Sequence, residues 1–186
     1  MSYLKNKEYK IITTDSFEII HACSGCSDKE SFINTNRFRV NANGNKLDIW
    51  LIYQCEKCKH TLNIPIYERI SPAKIDPAEY KMFLENNSEL AHKYGTDITF
   101  LKSRKLDVDI QNGRFSVLAD NTVLTQKIPY NSGISVVVQN ETNIKFKAEK
   151  IVSMVFDISR SKAKKMIEDN ELIVNQENQS FRFMFQ

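Results

Sequence analysis

The sequence predicts an α+β fold: a β-hairpin unit near the N-terminus, central helices and antiparallel β-strands, and a C-terminal helical hairpin with short strands. Three observations predict it. Two CxxC pairs, Cys23-Ser24-Gly25-Cys26 and Cys55-Glu56-Lys57-Cys58, enclose a stretch of strand-like residues. Capped helix signals follow Pro72 and return after Lys147. Between them, from Val108 to Ile144, short β-branched runs alternate with turn residues. The natural division is 1–70, 71–145 and 146–186.

The cysteines make the strongest chemical statement. All four belong to the two pairs, which have 28 residues between them. Two residues between cysteines let one tight turn aim both sulfurs at a common centre, and a second such turn completes a tetrahedron. Cys23, Cys26, Cys55 and Cys58 are therefore expected to hold a structural Zn²⁺. Gly25 is placed to take the unusual backbone angles of a metal knuckle, and Lys57 and Lys59 to offset thiolate charge. Iron or an iron–sulfur cluster, and redox-active or unligated thiols, are the alternatives. His21 and His60 flank the pairs and are read as bystanders, and His92 as a helix-face residue.

Composition narrows the function classes. In 186 residues, 26 basic and 23 acidic side chains leave a net charge of only +3, so nucleic-acid binding would need a local patch. No apolar run approaches the ~18 residues of a membrane span. The opening MSYLKNKEYK lacks an apolar signal core, which points to the reducing cytoplasm.

Along the chain, residues 17–22 read as a strand entering the first knuckle. Arg37–Asn41 and Lys46–Gln54 follow as a hairpin, with Asn43-Gly44 supplying two positive-φ positions of a type I′ turn. Residues 61–67 make a third strand, which Pro65 confines to an edge or a strand end. Knuckle, hairpin, knuckle, strand is the order of a zinc ribbon. Ile49 to Tyr53 is apolar on both faces, so the Trp50 strand needs a cover: either the rest of the chain or a partner. Asp76-Pro77-Ala78-Glu79 opens a helix with an apolar face of Tyr80, Phe83 and Leu84. Ser88 is placed to cap a second helix ending at Gly95, and residues 97–104 form a third. After the central strands, Ala148, Ile151, Val152, Val155 and Phe156 make a core-facing helical stripe. Ser159 caps a further helix whose apolar side is Ala163, Met166 and Ile167, with Asn170 as its C-cap. Residues 172–175 and 180–185 then read as strands.

FRVNANG, LDIWLIY and the two CxxC pairs resemble the bacterial family known as domain of unknown function 1062. That resemblance implies a cytoplasmic bacterial protein with a zinc ribbon and brings no activity with it. Residues 146–180 are similar to the small RNA-binding module named after ribosomal small-subunit protein four. Lys147-Ala148-Glu149 stands where that module has an Arg-Leu-Asp-like entry, Ser159-Arg160 opens its second helix, and Ile173-Val174-Asn175 matches its strand. Asn170 and Gln176 replace glycines usual in the module.

Charge is consistent with that likeness. Residues 147–165 carry six basic side chains against Glu149 and Asp157, and a basic helix N-terminus suits phosphate. The expected function is non-enzymatic binding of structured RNA, ribosomal or transfer. Arg160, Lys162, Lys164 and Lys165 would meet phosphates, with Lys147 and Lys150 assisting. The competing expectation is a protein-interaction or homodimerisation module using the Trp50 strand or the ribbon edge. Catalysis is disfavoured: HExxH, nucleophile-elbow, phosphate-loop and zinc-deaminase signatures are absent, and Asp107 and Asp109 read as a solvent-facing alternation.

Overall fold

The structure is a computed structural model that describes residues 7–186. In chain order the strands of the first half are β1 (Lys7–Thr13), β2 (Ile19–Ala22), β3 (Lys29–Asn43), β4 (Lys46–Cys55) and β5 (Thr61–Ile70). Helices α1 (Pro77–Leu84), α2 (Ser88–Thr96) and α3 (Ile98–Ser103) follow. Then come β6 (Asp107–Val108), β7 (Phe115–Ala119), β8 (Thr122–Val123) and β9 (Ser135–Asn140). The chain closes with α4 (Ala148–Val155), α5 (Arg160–Glu168), β10 (Leu172–Glu177) and β11 (Ser180–Phe185). The fold is α+β.

Two compact units result: Asp15–Arg114, and the described residues up to Thr14 together with Phe115–Gln186. This differs from the three consecutive segments 1–70, 71–145 and 146–186. Strand pairing decides it, because β6 joins β2 whereas β7 and β9 both pair with β1.

In the unit Asp15–Arg114 the sheet order is β5-β4-β3-β2-β6, antiparallel throughout. The β3–β4 hairpin turns on Gly44-Asn45, not Asn43-Gly44, since Asn43 stays in the ladder opposite Lys46. Gly44 has φ 62° and Asn43 and Asn45 have negative φ, so glycine takes the first central position in the pattern of a type II′ turn. β5 is an edge strand and accommodates Pro65.

Alternation along β4 sends Ile49, Leu51 and Tyr53, each fully buried, to the face that the helices cover. Phe38, opposite Leu51, meets the rings of Phe83 and Tyr94 edge-on. Trp50 and Ile52 lie on the other face.

Asp76 caps α1 as its sequence suggests, Oδ1 accepting from the amides of Ala78 and Glu79 at 2.9 and 3.0 Å. Glu79 instead accepts the hydroxyls of Tyr67 and Tyr94, at 3.0 and 2.8 Å, tying β5, α1 and α2 together. Leu84, expected on the apolar face, is 56% exposed. α2 is capped by Asn87, one residue before Ser88. Gly95 lies inside α2 rather than ending it: a Cβ there would collide with Ser16 and Asn34, and its carbonyl accepts Phe17 N at 2.9 Å.

The other unit is built on the sheet β10-β11-β9-β1-β7-β8, in which β1 runs parallel to β9 and antiparallel to β7. Its core joins Ile11, Val138, Phe181 and Phe183 of the sheet to Ile151, Val152, Val155 and Phe156 from α4 and to Ala163 from α5. Two positive φ angles side by side, the pattern expected at Asn43-Gly44, occur here at Asp120 (49°) and Asn121 (62°), between β7 and β8. Among the described residues no helix is long and apolar enough to cross a membrane.

Candidate metal centre and the basic helical hairpin

The first CxxC turn joins β2 to β3 and the second joins β4 to β5. The two turns are built alike. In the first, Cys23 O accepts Ser27 N at 2.8 Å and Cys23 N donates to Asp28 O at 2.8 Å. In the second, Cys55 O accepts Lys59 N at 3.1 Å and Cys55 N donates to His60 O at 2.8 Å. The residue after each pair, Ser27 or Lys59, has φ 64°. Glu56 N donates to Ser31 O at 3.0 Å, which sets the turns side by side at one end of the sheet.

As a result, the four Sγ atoms all lie within 4.8 Å of one another. Cys23 and Cys58 Sγ are 3.3 Å apart and Cys26 and Cys55 Sγ 3.9 Å. A tetrahedron with Zn–S bonds of about 2.3 Å has sulfur–sulfur edges of about 3.8 Å, so the donor set fits one four-coordinate ion. Both separations are far longer than a disulfide, and all four cysteines are free. The thiols are unequal: the His60 backbone and neighbouring thiols lower the Cys58 pKa to about 7. Burial raises that of Cys23, and the hydrogen bond to Cys58 raises that of Cys26. The four can bind a metal.

Gly25 serves the centre differently from the expectation. Positive φ falls on Ser27 and Lys59, whereas a Cβ on Gly25 would lie 2.8 Å from Cys58 Sγ. Glycine is needed there for space. Lys57 pairs with Glu30 at 3.0 Å, and Lys59 Nζ donates to Glu56 O at 2.8 Å. His60 Nε2 is 2.9 Å from Ser24 Oγ, and His21 Nδ1 donates to Ala22 O at 2.8 Å.

The six basic residues of the C-terminal hairpin have unequal surroundings. Ser159 caps α5, its Oγ accepting Lys162 N at 3.1 Å, and Asn170 with φ 58° follows the helix end. Arg160 pairs with Glu149 at 3.5 Å and Lys164 with Glu168 at 3.7 Å. Lys162 bonds the Tyr130 hydroxyl and sits 4.8 Å from that ring's centre. Lys147, Lys150 and Lys165 make no ion pair among the described residues. Lys150, Arg160 and Ser159 line one open hollow with Lys127. Sequence reasoning missed Lys127, which arrives because Ile128 bridges to Phe156. No local motif marks that long-range contact.

No curated protein and no solved structure matches the chain. A family described as "Protein of unknown function (DUF1062)" matches residues 40–178. The matched stretch contains Cys55 and Cys58 and begins after Cys23 and Cys26. Spanning well over half of the sequence, this match places the chain in the DUF1062 family.

Proposed function

We propose that this is a non-catalytic, zinc-stabilised protein that binds structured RNA, ribosomal or transfer, through its C-terminal module. Zinc would join two turns of one sheet in a zinc-ribbon-like arrangement. A closed four-thiolate shell leaves no coordination position for substrate, which favours a structural role.

The observation carrying the RNA reading is the convergence of Lys127, Lys150 and Arg160 at the Ser159-capped start of α5. Fixed cations at a helix N-terminus suit a phosphate, and the helix–helix–strand order of α4, α5 and β10 is that of the resembled module. In the Arg160–Glu149 pair the arginine side chain is 57% exposed and the carboxylate 18%, so the guanidinium is open to a phosphate on its solvent side.

Changing Lys127, Lys150 and Arg160 together to Gln tests the reading on a structured RNA across a salt series, with duplex DNA as control. RNA affinity should fall, and the slope of log affinity against log salt should shrink by roughly 0.7–0.9 per lost contact. Absence of salt-sensitive RNA binding by the wild type, or equal binding by a folded triple variant, would remove the RNA function.

A further inference from the structure

The face of the Asp15–Arg114 sheet opposite α1–α3 carries charge of both signs, Lys29 and Asp48 included, and has two hollows whose linings differ in sign. Register places Ile33, Arg37 and Arg39 of β3 opposite Gln54, Ile52 and Trp50 of β4, so all six share this face. Arg37 and Arg39 are exposed and make no ion pair among the described residues. They line a shallow hollow with Ile33, Ile52, Gln54 and Thr61, and no carboxylate lines it. A second hollow adjoins it, because Ile33 lines both. There the carboxylates are Asp15, Glu18, Glu56 and Asp109, against the single cation Arg114, which pairs with Asp15 at 3.4 Å. Ile33 at the junction is 37% exposed, a large apolar side chain left in water between a basic and an acidic hollow.

A two-fold axis near Ile33 would set the basic hollow of one chain on the acidic hollow of another, twice, with the two isoleucines meeting at the centre. That is the arrangement an isologous contact requires. A nucleic acid fits less well, since a strand over Arg37 and Arg39 would run its phosphates on to Glu18 and Glu56. We propose that this face joins two copies of the chain in a symmetric dimer, with Arg37 and Arg39 of each copy facing Asp15, Glu18 and Glu56 of the other. The dimer is independent of the RNA reading, which concerns the other compact unit.

Two charge-reversed variants test it, Arg37→Glu/Arg39→Glu and Asp15→Lys/Glu56→Lys, with molar mass followed by sedimentation across a concentration series. The wild type should shift from one chain of 21.6 kDa toward twice that mass, and added salt should oppose the shift. Each variant alone should stay monomeric, because both of its contacts place like charges together. Their equimolar mixture should dimerise again, since in the mixed pair both contacts are attractive. Metal content and melting temperature establish that the variants fold, and the salt response of the wild type tests the contact without any substitution. A wild type monomeric at every concentration would overturn the proposal. So would a dimer indifferent to salt, a folded variant that dimerises like the wild type, or a mixture of folded variants that stays monomeric. Binding of single-stranded RNA by a monomer in an Arg37- and Arg39-dependent way would give the basic hollow to nucleic acid and overturn it as well.

Discussion

The two compact units solve the same problem with different means. The unit containing β1 and α4 is closed by apolar packing: Val138, Ile151, Val152, Val155, Phe156 and Phe183 are fully buried between its sheet and two helices. The unit Asp15–Arg114 has such a core under α1–α3, yet the end of its sheet where β2 meets β3 and β4 meets β5 is gathered around four sulfurs. Packing is spread over many side chains and tolerates partial loss. A coordination shell of four ligands loses much of its hold when one is removed. Stability should therefore depend on metal in one unit and on side-chain volume in the other.

The largest effect should come from Cys55→Ser. It should abolish tight metal binding and remove a large part of a contribution that is about 10–16 kcal/mol for structural zinc in small finger peptides. Hydrogen exchange should show lost protection in β2–β5, with α4, α5 and β11 retaining theirs. Loss spread evenly over both sheets would break the comparison. Next is Phe183→Ala, which leaves a cavity in the core of the other unit and should cost about 3–5 kcal/mol by denaturant titration. Metal content should not change. The smallest effect should be Gly44→Val: it forces a β-branched residue to φ 62° in an exposed turn and should cost about 1 kcal/mol or more. Metal should again be retained, since nothing lies within 4 Å of where that Cβ would stand.

How much the sequence revealed follows the same contrast. The thiol cluster was legible because two local turns and their spacing prescribe it, and the α4 stripe because its period is helical. Three kinds of feature were not. β1 has only Tyr9 and Ile11 as fully inward-facing apolar residues, too short an alternation to read, although it lies centrally in its sheet. Turn register depends on which residue leaves the ladder, so the Gly44 turn moved by one residue while the hairpin itself survived. Glu79 and Gly95 look like helix-boundary residues, yet Glu79 is taken by Tyr67 and Tyr94, and Gly95 is a point of close approach to Ser16. Such roles are set by what packs against a residue. Lys127 illustrates the same limit at the surface, where the long-range bridge from Ile128 to Phe156 brings a loop residue beside α4 and α5.

Four thiolates holding one zinc ion at the end of the Asp15–Arg114 sheet would account for the metal dependence of that unit. Metal analysis of the wild-type protein, combined with X-ray absorption at the zinc edge, tests it most directly. One zinc per chain surrounded by four sulfurs at about 2.3 Å is expected. A folded protein without bound zinc whose four thiols all react freely, or a metal with nitrogen or oxygen ligands in its shell, would contradict it.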